Sequence, residues 1–154
     1  MLKRTSIALL IALVASGCRI DTSAELPPIE ICWNPQVKTQ AQALAQSMFV
    51  TAVLRRVNEQ ATMRNQKAVT RADVEPKVTV KVDDYFTQER IATSSSATCG
   101  AEIDVSIAGA DGKTKTSTGN IVNFSVYQGE RGPSVTMSNA EIAKQVLSLD
   151  DSTE

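Results

Sequence analysis

The segment Lys77-Val78-Thr79-Val80-Lys81-Val82-Asp83 alternates valine with a polar residue at every step. Successive side chains of a β-strand point to opposite faces, so this alternation predicts a strand with one covered and one wet face. A similar alternation occurs in Glu102-Ile103-Asp104-Val105-Ser106-Ile107 and in the stretch from Ile121 to Tyr127. Segments with one apolar side each predict a sheet whose covered face needs a second layer.

The segment Ala110-Asp111-Gly112-Lys113 predicts a tight hairpin, because Asp-Gly suits a type I′ turn. It joins the strand at 102–107 to a returning strand from Thr114 to Thr118. Earlier in the chain, Ile29-Glu30-Ile31-Cys32-Trp33 also alternates and predicts a short first strand. Trp33 is then expected in the core, with contact to a membrane surface or a partner as the alternative.

Asn34-Pro35 predicts the start of a long helix, because asparagine caps helices and proline fits the first helical position. Residues 36–65 contain neither glycine nor proline, and we place the helix at about 35–64. Its apolar stripe recurs at three- and four-residue steps and consists of Val37, Ala41, Leu44, Ala45, Met48, Ala52 and Val53, widened by Phe49 and Val57. We expect the stripe to pack on the sheet, with a partner helix or coiled coil as the alternative. The predicted wet side carries Gln36, Gln40, Gln42, Gln46, Arg55, Arg56, Asn58 and Glu59.

A second, shorter helix is predicted over about 139–149. Ser138 followed three residues later by Glu141 forms the sequence pattern of a capping box. The residues before this helix, Gln128 to Pro133, are expected to form a loop. Those after it, Asp150 to Glu154, are expected to form an acidic tail.

These elements together predict an α+β domain at residues 29–149. We expect two layers, in which a mainly antiparallel sheet of about four to five strands is covered by one long and one short helix. The covered face of the sheet is predicted to carry Val78, Val80, Val82, Ile103, Val105, Ile107, Phe124 and Val126.

The N-terminus has the order of a secretory signal peptide. Lys3 and Arg4 are basic, the segment from Ile7 to Val14 is apolar, and Ala15-Ser16-Gly17 are small. The apolar segment is shorter than the roughly 20 residues that span a bilayer. Residues 1–17 are therefore predicted to be cleaved off.

Val14-Ala15-Ser16-Gly17-Cys18 resembles the lipobox of bacterial lipoproteins. The resemblance implies that the Cys18 thiol receives a diacylglyceryl group and that the new N-terminus is acylated, for example with palmitate. Arg19 stands where an aspartate would favour the inner membrane, so the resemblance implies the periplasmic face of the outer membrane. Residues 18–28, which contain Pro27-Pro28, then form the lipidated N-terminus and a tether. The alternative is an ordinary cleaved signal that leaves Cys18 as a thiol.

The chain contains three cysteines. If Cys18 carries lipid, Cys32 and Cys99 remain, and an even pair in an oxidising compartment indicates a disulfide. Two buried free thiols are the alternative. A metal site is not expected from two cysteines in a chain without histidine.

No constellation of residues predicts catalysis or a cofactor. Histidine, the commonest general base, is absent, and 16 basic residues against 17 acidic ones do not indicate a nucleic-acid surface. Asp83 and Asp84 are adjacent on a strand and should point apart, whereas Glu102 and Asp104 share the wet face. We therefore predict no catalytic residue, no metal and no cofactor.

The function expected from these features is that of a lipid-anchored periplasmic binding or assembly lipoprotein. Its expected partners are the membrane, through the lipid, and another envelope protein, which could add a strand to the exposed sheet edge. One alternative is an exclusion or inhibitor lipoprotein of a plasmid or phage. Another is an envelope enzyme that works without histidine.

Overall fold

The computed structural model describes residues 29–91, 95–109 and 112–151. Its elements are a 3₁₀ helix Ile29–Trp33, α1 Pro35–Met63, α2 Arg71–Val74, a second 3₁₀ helix Glu75–Lys77, β1 Val78–Ile91, β2 Ser96–Ala108, β3 Thr114–Gly129, β4 Gly132–Met137 and α3 Asn139–Asp151. The predicted signal peptide, Cys18, the tether, Asp111 at the hairpin tip and residues 152–154 lie outside the described residues.

The four strands form one sheet in the order β1-β2-β3-β4, and each neighbouring pair is antiparallel. The long helix α1 and the short helix α3 pack on this sheet. The predicted α+β class, with a four-stranded antiparallel sheet and one long and one short helix, is thereby confirmed.

The predicted apolar sheet face forms the core. Its members Val78, Val80, Val82, Ile103, Val105, Phe124 and Val126 are buried, and Ile107 packs against them half-buried. Val122 and Ala101 complete the same face. The valines of β1 thus face the core and the polar residues between them point away from it, as expected of a strand covered on one side only.

The predicted first strand is wrong, because residues Ile29–Trp33 form a 3₁₀ helix. Two consecutive residues, Ile31 and Cys32, are both buried, which a one-sided strand does not allow. Cys32 is bonded to Cys99 of β2, and this bond holds the segment against the core. The prediction that Trp33 belongs to the core is also wrong, because 40% of its surface is exposed.

The predicted loop from Gln128 to Pro133 is largely strand. β3 continues to Gly129 and β4 begins at Gly132, so only two residues form the turn. Gly132 has a φ of +107°, a conformation that other residues rarely adopt. Pro133, which lacks an N–H, lies on the edge strand, where proline is tolerated.

Helix α1 ends at Met63, within one residue of the prediction. Asn34 Oδ1 accepts a hydrogen bond from the Gln36 N–H at 2.8 Å, as expected for an N-cap. In the apolar stripe of α1, Ala41 and Ala45 are fully buried against the sheet. These small side chains let the helix backbone approach the strands closely.

The predicted capping box of α3 does not form, although Ser138 caps the helix through the second helical residue. Ser138 Oγ accepts from the Ala140 N–H at 3.3 Å. Both carboxylate oxygens of Glu141 accept instead from Asn123 of β3, at 2.9 and 3.2 Å. Glu141 thus binds Asn123 of β3 and not the Ser138 N–H, the donor that it would bind in a capping box.

A disulfide joins Cys32 to Cys99, as predicted. The two Cα atoms are 5.7 Å apart, and both residues are fully buried. The bond spans a sequence separation of 67 residues and connects the first 3₁₀ helix to the inner strand β2.

Candidate functional site

The outer edge of β1 is hydrogen-bonded to two glutamine side chains of α1. Gln46 donates to the Val78 carbonyl at 2.7 Å and accepts from the Val80 N–H at 2.9 Å. Gln42 donates to the Val80 carbonyl at 2.7 Å and accepts from the Val82 N–H at 3.0 Å. Each amide therefore occupies the place that a peptide group of a neighbouring strand would take.

The opposite edge of the sheet, formed by β4, is also hydrogen-bonded to a glutamine side chain of α1. Gln40 donates to the Pro133 carbonyl at 3.0 Å and accepts from the Val135 N–H at 3.2 Å. Gln40 and Gln42 lie about 200° apart around the helix axis, with Ala41 between them against the sheet. One helix can therefore bind both edge strands. The predicted wet side is wrong for Gln42 and Gln46, which are half-buried, whereas Gln40 is exposed as predicted.

These contacts change the expected mode of partner binding. Backbone groups on an open edge can pair with a strand from another chain. From Val78 to Val82 and from Pro133 to Val135, those groups are already bonded to glutamine amides. Addition of a partner strand at these two segments would therefore first have to displace the glutamine amides.

The sheet face away from the helices carries the carboxylates singled out in the sequence. Lys81 pairs with Asp104 across β1 and β2, and Asp83 pairs with Glu102. The Lys81 ammonium also forms an ion pair with Asp83, which raises the pKa of Lys81 through the hydrogen bond and the charge of that carboxylate. Asp104 accepts from the Gly119 N–H at 3.1 Å, so this carboxylate braces β3.

A second polar cluster ties α3 to β3. Asn123, whose N–H and side chain donate to Glu141, accepts from Gln88 Nε2 at 2.6 Å. An open groove of about 380 Å³ lies beside it, lined by Thr98, Asn123, Phe124, Ser125, Thr136, Met137, Ser138 and Glu141. The cluster links three elements through bonds within the chain and has a clear structural role.

Tyr85 lies on the core side of β1 and connects it to α1. Its hydroxyl donates to the Lys38 carbonyl at 3.3 Å, and the Lys38 ammonium lies 5.0 Å from the ring centroid. The ring meets Phe124 edge-on at 6.2 Å. Burial, with a smaller contribution from the charge of Asp83, raises the pKa of Tyr85 to about 12. Tyr85 is therefore a neutral core residue at physiological pH.

Three exposed apolar side chains surround the end of the domain where the described chain begins. Trp33 and Ile91 are each 40% exposed, and Tyr127 is 48% exposed. Ile91 and Tyr127 both pair with Ser96 in the sheet, from opposite sides. Trp33 shares an open groove of about 480 Å³ with Gln128, the residue after Tyr127. We call Trp33, Ile91 and Tyr127 the N-terminal patch.

Within residues 29–91, 95–109 and 112–151, no group of three or more His, Cys, Asp or Glu side chains is placed to hold a metal ion. None of the helices in these ranges is long and apolar enough to span a bilayer. No protein-family model, curated protein or solved structure matches this chain.

Of the predicted site residues, the structure brings Cys32 and Cys99 together, and Cys18 lies outside the described part. The edge-binding glutamines and the N-terminal patch were missed by sequence reasoning. One signal was available for the glutamines, because no charged residue occurs between Lys38 and Arg55. A helix whose polar residues are all uncharged over four turns is typical of one covered on more than one side.

Proposed function

We propose that this protein is a lipoprotein anchored through Cys18 to the periplasmic face of the outer membrane, where it acts by contact with another envelope protein. The observation that carries the proposal is the segment Val14-Ala15-Ser16-Gly17-Cys18, which follows a basic start and a short apolar run. Two or three acyl chains, at about 0.8 kcal/mol per buried CH₂, hold a protein on a membrane stably.

The disulfide supports a location outside the cytoplasm. Buried cystines are typical of proteins that fold in the periplasm or beyond, since cytosolic thiols are kept reduced. Cys32 and Cys99 form such a buried bond. The N-terminal signal pattern and the bond thus favour the same compartment.

A role in contact and not in catalysis is supported by the partners of the carboxylates, which are other groups of the same chain. Asp104 is bonded to a backbone N–H, Asp83 to Lys81, and Glu141 to Asn123. The chain has no histidine to work as a general base near neutral pH. Asp104 and Glu141 thereby connect elements of the fold, whereas the exposed Lys81–Asp83 pair lies within β1.

The exposed sheet face is the surface we assign to the envelope partner. Two edge segments are occupied by glutamines, so a partner meets side chains rather than open backbone there. Ile121 is 57% exposed on this face, beside Glu102. An apolar side chain within a charged rim is the usual composition of a contact surface.

The anchor is tested by metabolic labelling with a fatty-acid probe. We expect the wild-type protein to be labelled and to sediment with the outer membrane, and Cys18→Ser to lose both properties because the acylated thiol is gone. The Ile121→Ser variant, which leaves the lipobox intact, is the control and should be labelled normally. Unchanged labelling of Cys18→Ser would refute the anchor.

The partner is tested by photo-crosslinking in intact cells. A photoreactive residue at Ile121 should capture the same envelope protein in repeated experiments, whereas one at Ala43, on the exposed back of α1, should not. Capture of a receptor, a lytic enzyme or a mating-channel protein would instead assign the alternative role of exclusion or inhibition. Equal products from both positions, or none from Ile121, would contradict the proposed surface.

A further inference from the structure

We propose that the N-terminal patch rests on the bilayer that holds the Cys18 lipid, so that the domain lies against the membrane in one orientation. This inference rests on the proposed anchor and adds a second, noncovalent membrane contact. Of the five large apolar side chains exposed in the described ranges, Trp33, Ile91 and Tyr127 lie at this end of the domain. Met63 lies at the end of α1, and Ile121 lies on the same sheet face as Tyr127 but six residues earlier in β3.

The sheet places two members of the patch side by side. Ile91 and Tyr127 flank Ser96 in one row across β1, β2 and β3, so they point to the same face about 10 Å apart. Ser96 between them is only 3% exposed. The exposed apolar surface of the row therefore comes from β1 and β3, on either side of the buried serine.

Trp33 lies near the same end of the sheet but on its helix side, because it shares a groove with Gln128, whose side chain points to the face opposite that of Tyr127. It closes the first 3₁₀ helix and is fixed there by its neighbour Cys32, which is bonded to β2. The groove of about 480 Å³ between Trp33 and Gln128 lies on the β3 side of the residue. Tryptophan and tyrosine are the residues that concentrate at the boundary between lipid and water, because their rings are apolar with one polar group.

The position and length of the tether favour the membrane as the occupant of this surface. Residues 19–28 separate Cys18 from Ile29, and a fully extended chain of that length spans about 35 Å. The patch is therefore always within reach of the anchoring bilayer. Such a linkage raises the effective concentration to the millimolar range, so a weak surface contact is sufficient.

The charges near the patch indicate that the contact is apolar. Glu130 and Arg131, in the turn next to Tyr127, carry opposite charges. Arg90, beside Ile91, is basic and half-buried, and Glu30 and Glu89 are acidic and exposed, so basic residues are not in excess. A polybasic surface would be needed for strong attraction to anionic lipid. We therefore expect docking to depend little on salt and not to require anionic lipid.

The chain supplies its own probe, because Trp33 is its single tryptophan. The mature, lipidated protein is reconstituted into vesicles of phosphatidylethanolamine and phosphatidylglycerol, with and without acyl chains brominated near the headgroup. We expect brominated lipid to quench most of the Trp33 emission and the emission maximum to lie at shorter wavelength than in detergent. Raising the salt concentration should leave the quenching unchanged.

Matched variants identify the surface. Ile91→Ser and Tyr127→Ser should each reduce the quenching and together should remove most of it. Met63→Ser removes an apolar side chain that is 75% exposed at the end of α1 and should leave it unchanged. Unfolding midpoints are compared first, and the wild-type measurement decides the question even where a variant unfolds.

The outcomes separate the docking contact from the anchor. A protein that floats with vesicles while Trp33 is unquenched overturns docking and leaves the anchor intact. A protein that carries no lipid by mass spectrometry and does not float overturns the anchor, and docking with it. A photoreactive residue at position 33 that captures a protein in cells, rather than lipid, assigns the patch to a protein partner and also overturns docking.

Discussion

Replacing both Cys32 and Cys99 by alanine is expected to lower the free energy of unfolding by about 4 kcal/mol. The bond spans 67 residues, and its removal lets the unfolded chain explore far more conformations. Alanine is preferred to serine because both sites are fully buried and a hydroxyl would need a new partner. The measurement is urea unfolding followed by circular dichroism.

Reducing agent provides the control for this prediction. It should destabilise the wild-type protein to about the level of the double variant and leave the variant unaffected. Both single alanine variants should show the same loss, because either one breaks the bond. Equal unfolding midpoints for the oxidised and reduced wild-type protein would show that the bond constrains the chain less than its long loop implies.

Changing Gln42 and Gln46 together to glutamate is expected to lower the free energy of unfolding by about 2 kcal/mol at each site at neutral pH. Each glutamate keeps the acceptor oxygen but replaces the donating NH₂ with an oxygen. That oxygen would face the Val80 or Val78 carbonyl, to which the amide now donates at 2.7 Å. The penalty should shrink as pH falls, because a protonated carboxyl regains a donor. Thermal unfolding between pH 4 and 8 measures both effects.

Gln60→Glu, on the same helix but beyond the edge contacts, is the matched control and should change stability by only a few tenths of a kcal/mol. A second variant, Gln42→Ala with Gln46→Ala, leaves the β1 edge open without adding charge. It should self-associate through this edge, as seen by sedimentation. If the double glutamate variant lost no more stability than Gln60→Glu, the Gln42 and Gln46 amides would not contribute to binding β1.

Local patterns predicted the parts of the fold that local physics controls. The alternation from Lys77 to Asp83 and the Asn34-Pro35 helix start depend on neighbours in sequence, and both predictions are confirmed. The Cys32–Cys99 bond followed from counting cysteines once Cys18 was assigned to lipid. Each of these predictions needed no knowledge of distant contacts.

The features that sequence reasoning missed depend on partners far away in the chain. Gln40 binds β4 residues more than ninety positions away, and a free glutamine has the same sequence signal as a bound one. Glu141 fits a capping box, yet Asn123 lies close enough to take both of its oxygens. Trp33 is exposed because the sheet ends beside it, and a five-residue alternation cannot reveal where a sheet ends.

The position of the disulfide also determines how the domain carries mechanical load. A pull applied through the N-terminus passes Ile29 and reaches Cys32 within three residues. From there the force divides, and a covalent bond delivers part of it to β2, which is held by β1 on one side and β3 on the other. The long helix is thereby relieved of bearing the tension alone. Under the proposed anchor at Cys18, tension from the membrane would reach the sheet through this bond as well as through α1.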